Sequence, residues 1–321
     1  MPRPSRGIAT WLSRVVACCV IALLAMSCGT GIEMSRRVTD KEVQRILDKG
    51  AGNEAVVTLE AYRDSFPAWE PGKRFWVADD RVTEMLAVTY GYDKDTLHLA
   101  GHVLRYKGYS RSGIAVYGDD RRIFINFEDE QTGLGLSYVM MSRDANHTLS
   151  SLPMLIDLDM VNHVSRQLVG KDFYIRTPIW YDLQSEQMID GRHFIKVHID
   201  SVLPGNAVLP LRVLFTTLDT GEKAMVWMSD NASTMHGRDF DALFVERDPH
   251  LGHPAITDAN WELITRGQVV VGMTKEECRL SLGSPQRISE NPDQGGMREY
   301  WYYDGGSYLF FVDGLLNQFR R

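Results

Sequence analysis

Residues 71–77 read PGKRFWV, and residues 169–175 read VGKDFYI. In each stretch a Gly-Lys turn leads into alternating aromatic and polar side chains, which is typical of a β-strand entered through a turn. Two further pairs of similar stretches follow in the same order, LAGHVL at 99–104 with IDGRHF at 189–194, and IFINF at 123–127 with LRVLF at 211–215. The shared order and spacing indicate a tandem repeat of a β-module of roughly 90 residues.

The region around these stretches has the composition of antiparallel sheet. From Val56 to about Ser229, short alternating runs are separated by Gly, Asp and Asn. A small SH3-like barrel and an open sandwich both fit a module of this size, and the sequence leaves that choice open. Between the two copies, residues 152–168 carry apolar side chains at near-helical spacing, which predicts a linking helix that begins at Pro153.

A different pattern begins at Ile256, where two helices and then three strands are predicted. Thr257 or Asp258 can cap the first helix, and Thr274 with Glu277 forms a capping box at the start of the second. The predicted strands are Arg298 to Tyr303, Ser307 to Val312 and Leu315 to Phe319. Asp-Gly pairs at the two intervening turns suit tight hairpins, because these residues accept positive backbone angles.

This C-terminal region resembles the SmpA/OmlA, or BamE-like, lipoprotein family. The resemblance rests on GMTKE at 272–276, LGSP at 282–285, EYWYY at 299–303 and FVDGL at 311–315. It implies a two-helix layer on a three-stranded antiparallel sheet, as in small outer-membrane lipoproteins that assist the assembly of β-barrel proteins. The same fold resembles β-lactamase inhibitor protein, and the chain as a whole resembles multi-domain lipoproteins of Bacteroides-like bacteria.

The N-terminus has the pattern of an export signal. A basic start precedes the apolar run Val15 to Met26, which is too short to span a bilayer comfortably. Small residues lie just before Cys28, in a pattern that resembles a bacterial lipobox and implies lipid attachment at Cys28. An ordinary cleavage, or a lipobox ending at Cys18, are the alternatives. Gly29 follows Cys28 at the position where Asp would favour retention in the inner membrane. This pattern resembles that of lipoproteins sorted to the outer membrane.

The expected fold class is α+β, with tandem small antiparallel β-modules, each an SH3-like barrel or a sandwich, followed by an ααβββ BamE-like two-layer module. The expected boundaries are a signal peptide at 1–27, a lipid tether at 28–52, a first β-module at 53–150, a linking helix at 151–168, a second β-module at 169–250 and the C-terminal module at 251–321. Hydrophobic residues make up 44% of the 321 residues, which is enough to bury several cores.

The charge disfavours nucleic acid as a partner. The formal net charge is −7 with 35 basic and 42 acidic residues, and loss of the three leader arginines leaves 32 basic residues and a net charge of −10. A surface of this sign repels phosphate backbones. We therefore expect protein partners in the envelope, and contact with the membrane through the N-terminal lipid.

Residue patterns for catalysis are weak, and neither an enzyme, a cofactor nor a metal site is predicted. His250 and His253 share a loop with Asp248, which is half of a possible metal site. Acidic pairs are explained as solvated turn residues, and Cys278 is expected to be a buried small hydrophobe on a helix.

Aromatic residues give the only candidate site. Alternation in the last strands requires one sheet face to cover the helices while the other turns large rings outward. The predicted partner-binding residues are Arg298, Trp301, Tyr303, Phe310 and Phe311. The expected function is a non-enzymatic scaffolding lipoprotein of the outer membrane that faces the periplasm and binds an envelope protein. The alternative is an inhibitor-like or ligand-binding protein that uses the same face.

Overall fold

The computed structural model describes residues 59–87, 93, 96–117, 120–144, 151–230, 237–293 and 296–320. All of them belong to one compact unit of the chain, Val56–Arg321. The predicted signal peptide, Cys28 and the tether lie outside the described residues. Within the described ranges, three antiparallel sheets and a smaller share of helix confirm the α+β class. None of the helices in these ranges combines the length and the apolar character needed to cross a membrane.

The first sheet occupies the region of the first predicted β-module. Its antiparallel strands lie in the order β4-β3-β2-β1-β5. Phe75 and Val77 on β1 are fully buried, because alternate side chains of the strand face one core. The strands are β1 (Arg74–Val77), β2 (Val103–Tyr117), β3 (Asp120–Asp129), β4 (Gly135–Met141) and β5 (Leu155–Asp157), with a 3-10 helix at Asp80–Met85.

The second sheet follows the linking helix α1 (Leu158–Leu168). Its strand order is β12-β6-β9-β10-β11-β7-β8. Val213 and Phe215 on β10 are fully buried beneath the helix. The strands are β6 (Asp172–Ile175), β7 (Ile179–Tyr181), β8 (Met188–Asp190), β9 (Ile195–Pro204), β10 (Leu211–Thr217), β11 (Lys223–Met228) and β12 (Phe244–Val245), and the short helix α2 (Phe240–Leu243) precedes β12.

The two sheets share a central pattern of strands. The order β1-β2-β3-β4 in the first sheet corresponds to β6-β9-β10-β11 in the second. Before the first of these strands, the N–H of Gly72 donates to the carbonyl of Tyr106 at 2.8 Å, and the N–H of Gly170 donates to that of Ile199 at 2.9 Å. The repeated sequences at 71–77 and 169–175 therefore occupy equivalent places in two similarly ordered sheets.

The last hairpin of each pattern turns in the same way. The N–H of Gly133 donates to the carbonyl of Asp129 at 2.8 Å, and the N–H of Gly221 donates to that of Thr217 at 3.0 Å. Both glycines have a positive φ, 72° and 73°, which a residue with a side chain rarely adopts. The Thr-Gly pairs at 132–133 and 220–221 therefore mark the same turn in both halves.

The linking helix begins later than the sequence pattern predicts. Met154 has a positive φ of 62°, and Leu155–Asp157 forms β5, which pairs with β1. Asp157 then caps the helix by accepting from the N–H of Asp159 at 2.9 Å. The predicted start at Pro153 is wrong, because the apolar residues just after it are buried as a strand of the first sheet.

A buried ion cluster joins the first sheet to the linking helix. The ammonium of Lys73 lies 2.8 Å from Asp64, 2.7 Å from Asp157 and 3.1 Å from Asp159, and the side chain of Lys73 is only 4% exposed. Its Nζ also donates to the hydroxyl of Tyr62 at 2.8 Å. Burial alone lowers the pKa of Lys73, but its hydrogen bonds to the two nearest carboxylates and to Tyr62 outweigh burial and raise the pKa above its usual value. Lys73 therefore stays charged in this cluster.

The C-terminal module has two helices against an antiparallel sheet ordered β13-β14-β15-β16. The predicted capping box is confirmed, because the side chain of Thr274 accepts from the N–H of Glu277 and that of Glu277 accepts from the N–H of Thr274. The sheet has four strands, so the expectation of three is corrected. The elements are α3 (Asp258–Thr265), α4 (Lys275–Leu282), β13 (Arg287–Asp293), β14 (Gly296–Tyr302), β15 (Tyr308–Val312) and β16 (Leu315–Arg320), with 3-10 helices at Pro249–Gly252 and Asp304–Gly306.

A short loop between β8 and β9 connects the second sheet to the helices of the C-terminal module. The N–H of His193 donates to the carbonyl of Thr265 at 3.0 Å, and its ring Nε2 lies 3.1 Å from the carbonyl of Leu280. Phe194 adopts a positive φ of 58° and stacks on Trp261 with ring centroids 5.7 Å apart. The junction therefore lies on the helical side of the C-terminal module.

Protonation of His193 is expected to weaken this junction. Burial lowers the pKa of His193 below its usual 6.5, against a smaller opposing effect of the bond to Leu280. As the pH falls through about 6.5, the unfolded chain takes up this proton before the folded chain does, so stability present at neutral pH is lost in acid. We expect the free energy of unfolding to fall between about pH 7 and about pH 5, by at most about 1.4 kcal/mol per pH unit for this group.

The measurement is urea unfolding at several pH values in the wild type and in His193→Gln, whose amide keeps a donor for Leu280 without taking up a proton. The variant should show a shallower dependence on pH over this range. Equal dependence in the two proteins would contradict the role of His193.

Candidate partner-binding face of the C-terminal sheet

Four aromatic side chains lie on the outer face of the C-terminal sheet. Strand register pairs Tyr300 with Phe310, and Tyr302 with Tyr308, so that these four share the face opposite the buried Trp301. All four are half-buried. We call this set the outer aromatic face.

The rings of the outer aromatic face contact one another. The centroids of Tyr300 and Phe310 are 4.5 Å apart in a stacked arrangement, and those of Tyr300 and Tyr302 are 6.3 Å apart. Ring contacts at these separations are favourable and hold the side chains in defined positions. The face therefore presents a continuous, ordered aromatic surface.

Arginines frame this surface. The register places Arg287, Tyr302, Tyr308 and Arg320 in one row across the four strands. The guanidinium of Arg287 lies 4.3 Å from the ring centroid of Tyr302, which is a cation–π distance. Arg298, one of the predicted site residues, is exposed on the same face two residues before Tyr300. The combination of flat rings and positive charge suits a partner that offers apolar groups beside carboxylates.

Two residues assigned to this face from the sequence lie on the opposite side, and that assignment is wrong. Trp301 and Phe311 are both 0% exposed, and their rings pack together at 4.8 Å in the core beneath the helices. Because side chains alternate along a strand, Trp301 faces one side of the sheet while Tyr300 and Tyr302 face the other. On β14, burying Trp301 removes a large apolar ring from water and leaves Tyr300 and Tyr302 outward, where their hydroxyl groups are easily solvated.

Tyr303 also differs from the expectation. It follows the end of β14, packs against the core of the module, and its hydroxyl donates to the carbonyl of Gly283 at 3.2 Å. Burial raises the pKa of Tyr303 to about 12. Of the five predicted residues, Arg298 and Phe310 therefore lie on the outer face, whereas Trp301, Tyr303 and Phe311 support it from the other side.

A buried carboxylate supports the inner side of β14. Glu299 is 4% exposed and accepts from the ammonium of Lys275 on α4 and from the indole N–H of Trp301. Burial opposes ionisation of Glu299, but these two hydrogen bonds outweigh it and lower the pKa below the usual value. The ion pair thus links β14 to helix α4.

Tyr300, Tyr302, Tyr308 and Arg287 were not among the predicted site residues. The signal for the two central tyrosines is present in the sequence EYWYY at 299–303, where tyrosines alternate with a glutamate and a tryptophan. Because strand side chains alternate, deciding that Trp301 faces the core would have assigned Tyr300 and Tyr302 outward. Arg287 had no such signal, because its strand was not predicted.

The other chemically interesting groups are used within the fold. His250 stacks on Trp261 at 4.4 Å, and Nδ1 of His253 lies 2.7 Å from Glu276. Over the described ranges, no group of three or more His, Cys, Asp and Glu side chains is arranged to hold a metal ion. Cys278 is buried as predicted, and burial raises its pKa to about 12. A thiol in this environment is protonated and unreactive at neutral pH.

A cleft of about 710 Å³ lies elsewhere, between the segment Leu59–Arg63, the linking helix and the second sheet. Its lining is mainly apolar and includes Met160 and Leu211. Asp157 also borders it, but that carboxylate already pairs with Lys73. Polar residues also line the cleft, among them Arg63, Asn206 and Asp230.

The outer aromatic face remains the best-formed candidate site in the described residues. Comparison of the chain with protein-family models, with curated proteins and with solved structures finds no match.

Proposed function

We propose that this protein is a lipid-anchored envelope protein without enzymatic activity, and that it binds another envelope protein through the outer aromatic face. The sequence of residues 1–28 supports export and attachment through Cys28, and Gly29 favours an outer-membrane location facing the periplasm. The role is scaffolding in the assembly or integrity of the outer membrane. No cofactor, metal or nucleic acid takes part.

The observation that carries the proposal is the row of stacked rings and arginines across four strands. Tyrosine and arginine are the residue types that contribute most to protein interfaces, because they bury large areas while keeping polar groups in contact with the partner. The junction with the second sheet uses the helical side of the module, which leaves the outer face pointing away from that junction. The partner is expected to offer apolar side chains next to Asp or Glu.

The proposal also covers the fold of each module. The two upstream sheets are proposed to be SH3-like barrels or sandwiches, and the C-terminal module to be BamE-like. Support for the second point comes from two helices on an antiparallel sheet, together with the motifs at 272–276, 282–285, 299–303 and 311–315. Members of that family place the module directly behind the lipid, whereas two sheets precede it here.

Removing two rings from the outer aromatic face is expected to abolish partner recovery. In cells grown with labelled palmitate, the wild-type chain should carry the label and co-purify from membranes with a cross-linked envelope protein. Tyr300→Ser combined with Phe310→Ser should keep the label and lower recovery of that protein by about tenfold or more, since two interface anchors are lost.

The matched control combines Leu218→Ser with Leu251→Ser, which removes two exposed apolar side chains outside the face. This control should recover the partner as the wild type does. Equal loss in both variants, or no loss in either, would contradict binding through the outer aromatic face. Absence of label from the wild-type chain would contradict the lipid anchor, but not binding through the outer aromatic face. Loss of the label in Cys28→Ala would identify Cys28 as the labelled residue.

A further inference from the structure

The far end of the β2–β3 hairpin projects from the first sheet as a two-stranded ribbon. Strand β1 pairs with β2 only at residues 103–105, and β4 pairs with β3 only from Arg122 to Glu128. Beyond these pairings, Ala115 pairs with Arg121 and Tyr117 pairs with Asp120, and neither β1 nor β4 pairs with these residues. We call residues 111–117 and 120–122 the ribbon.

The ribbon exposes branched apolar side chains near its end. Ile114 is 77% exposed and Val116 is 51% exposed. Both residues are normally found in cores, and here two of them lie close together on a projecting segment. Their exposure is not explained by packing within the described part of the chain.

The ribbon also carries three exposed arginines, one of them beside Ile114. Arg111, Arg121 and Arg122 are exposed, and the guanidinium of Arg121 donates to the carbonyl of Gly113 at 2.6 Å, directly beside Ile114. The carboxylate of Asp120 is turned back toward the sheet, where it accepts from the hydroxyl of Ser142 at 2.6 Å. In a chain of net charge −7, the exposed charged side chains described for the ribbon are thus arginines.

The ribbon is poorly suited to adding a further strand. The pairing of β2 with β3 is irregular between Tyr106 and Gly108, and again between Arg111 and Ala115. Bulges of this kind twist an edge away and interrupt the row of backbone groups that an added strand would use. Recognition therefore falls to the side chains, which are apolar at the end and cationic around it.

Phe66, in the segment that precedes β1, packs at the base of the ribbon. The described residues begin at Leu59, just after the predicted tether, and Phe66 packs edge-on against Tyr109 with centroids 4.9 Å apart. Tyr109 lies on β2 immediately before the ribbon. The segment that precedes β1 therefore supports the base of the ribbon.

From these features we propose that the ribbon is a second membrane contact, in which Ile114 and Val116 enter the interfacial region and the arginines meet anionic phospholipid headgroups. Apolar side chains flanked by basic ones are the combination that binds anionic bilayer surfaces. The proposal rests on the proposed membrane location, because the ribbon is a second contact only in a chain that is already attached to the bilayer through its lipid.

Vesicle binding by a chain without lipid tests the proposal. The protein from Gly29 onward omits the apolar leader and Cys28 but retains the whole unit Val56–Arg321. It should co-sediment with vesicles of phosphatidylethanolamine and phosphatidylglycerol more than with phosphatidylcholine vesicles. Ile114→Ser with Val116→Ser should lower the bound fraction about tenfold, and Arg111→Gln with Arg122→Gln should remove the preference for the anionic vesicles.

Two controls match these changes. Leu251, 78% exposed, is replaced by Ser, and the exposed Arg247 is replaced by Gln. Both should bind as the wild type does, and circular dichroism confirms that every variant is folded.

No vesicle binding by the wild type, or equal losses in the ribbon and control variants, would overturn the proposal. Self-association of the wild type that the ribbon variants abolish, without vesicle binding, would assign the ribbon to a second copy of the chain and also overturn it. Lipid labelling at Cys28 is measured in a separate experiment, so the proposed lipid anchor and the proposed membrane contact of the ribbon can be contradicted independently.

Discussion

Replacing Lys73 with Met is expected to lower the free energy of unfolding by about 3–5 kcal/mol. The methionine fills a similar volume, but it removes the only cation described within 4 Å of Asp64, Asp157 and Asp159. Asp157 is 5% exposed and is then left as a buried carboxylate without its counter-ion. Urea unfolding followed by far-ultraviolet circular dichroism measures the change.

The chain supplies a matched control for this variant. Lys171 occupies the equivalent place before β6, but its side chain is exposed, so Lys171→Met should change stability by less than about 0.5 kcal/mol. Adding Asp157→Asn to Lys73→Met should restore part of the loss, because Asn removes the unpaired charge and still caps helix α1. Similar effects of the two lysine replacements would show that the cluster contributes little.

Replacing Trp301 with Ala is expected to lower the free energy of unfolding of the C-terminal module by about 3–5 kcal/mol. The indole is fully buried, packs on Phe311, and lies under the guanidinium of Arg279 at 4.9 Å. Its loss leaves a cavity and removes a hydrogen-bond donor from the buried Glu299. Thermal or urea unfolding monitored by circular dichroism reports the loss.

The neighbouring Tyr302 provides the comparison, because it lies on the opposite face of the same strand. Tyr302→Ala should cost only about 1 kcal/mol, since the ring is half-buried and leaves no internal cavity. If Trp301→Ala were as mild as Tyr302→Ala, Trp301 would belong to the exposed face, as the sequence pattern first suggested. The pair of variants therefore tests the orientation of β14 directly.

Patterns confined to a few neighbouring residues predicted local structure well. The capping box at Thr274 and Glu277 depends on contacts within one helical turn, and it is formed as expected. The Gly-Lys turns before β1 and β6 likewise depend on local backbone angles, and both sequences form strands with the same alternation of burial. Such features need little information from the rest of the chain.

Features that depend on distant residues were missed. The strand β13 contains Pro292 and was not predicted, yet it lies at the edge of its sheet, where a proline need not donate to a neighbouring strand. The burial of Lys73 depends on Asp157, which is far away in sequence and adjacent only after β5 pairs with β1. The spacing of residues along the chain indicated neither the pairing of β13 with β14 nor the contact of Lys73 with Asp157.

The candidate site was located in the correct strands but with the wrong orientation. Every residue of EYWYY at 299–303 can occupy either face of a strand, and its orientation depends on which side the helices cover. The structure places α3 and α4 against Trp301 and Phe311, and this decides the orientation of Tyr300, Tyr302 and Phe310. The composition therefore indicated an aromatic surface, and only the packing identified its members.

The common strand order of the two upstream sheets creates a problem during synthesis. A newly made chain contains two near-equivalent opening strands, β1 and β6, and two strands, β2 and β9, with which either could pair. Tandem repeats of this kind are prone to exchanging strands between neighbours. In the native arrangement β1 pairs with β5, and this pairing places Lys73 beside Asp157 at the start of the linking helix. Formation of the ion cluster therefore accompanies the native pairing of β1 with β5.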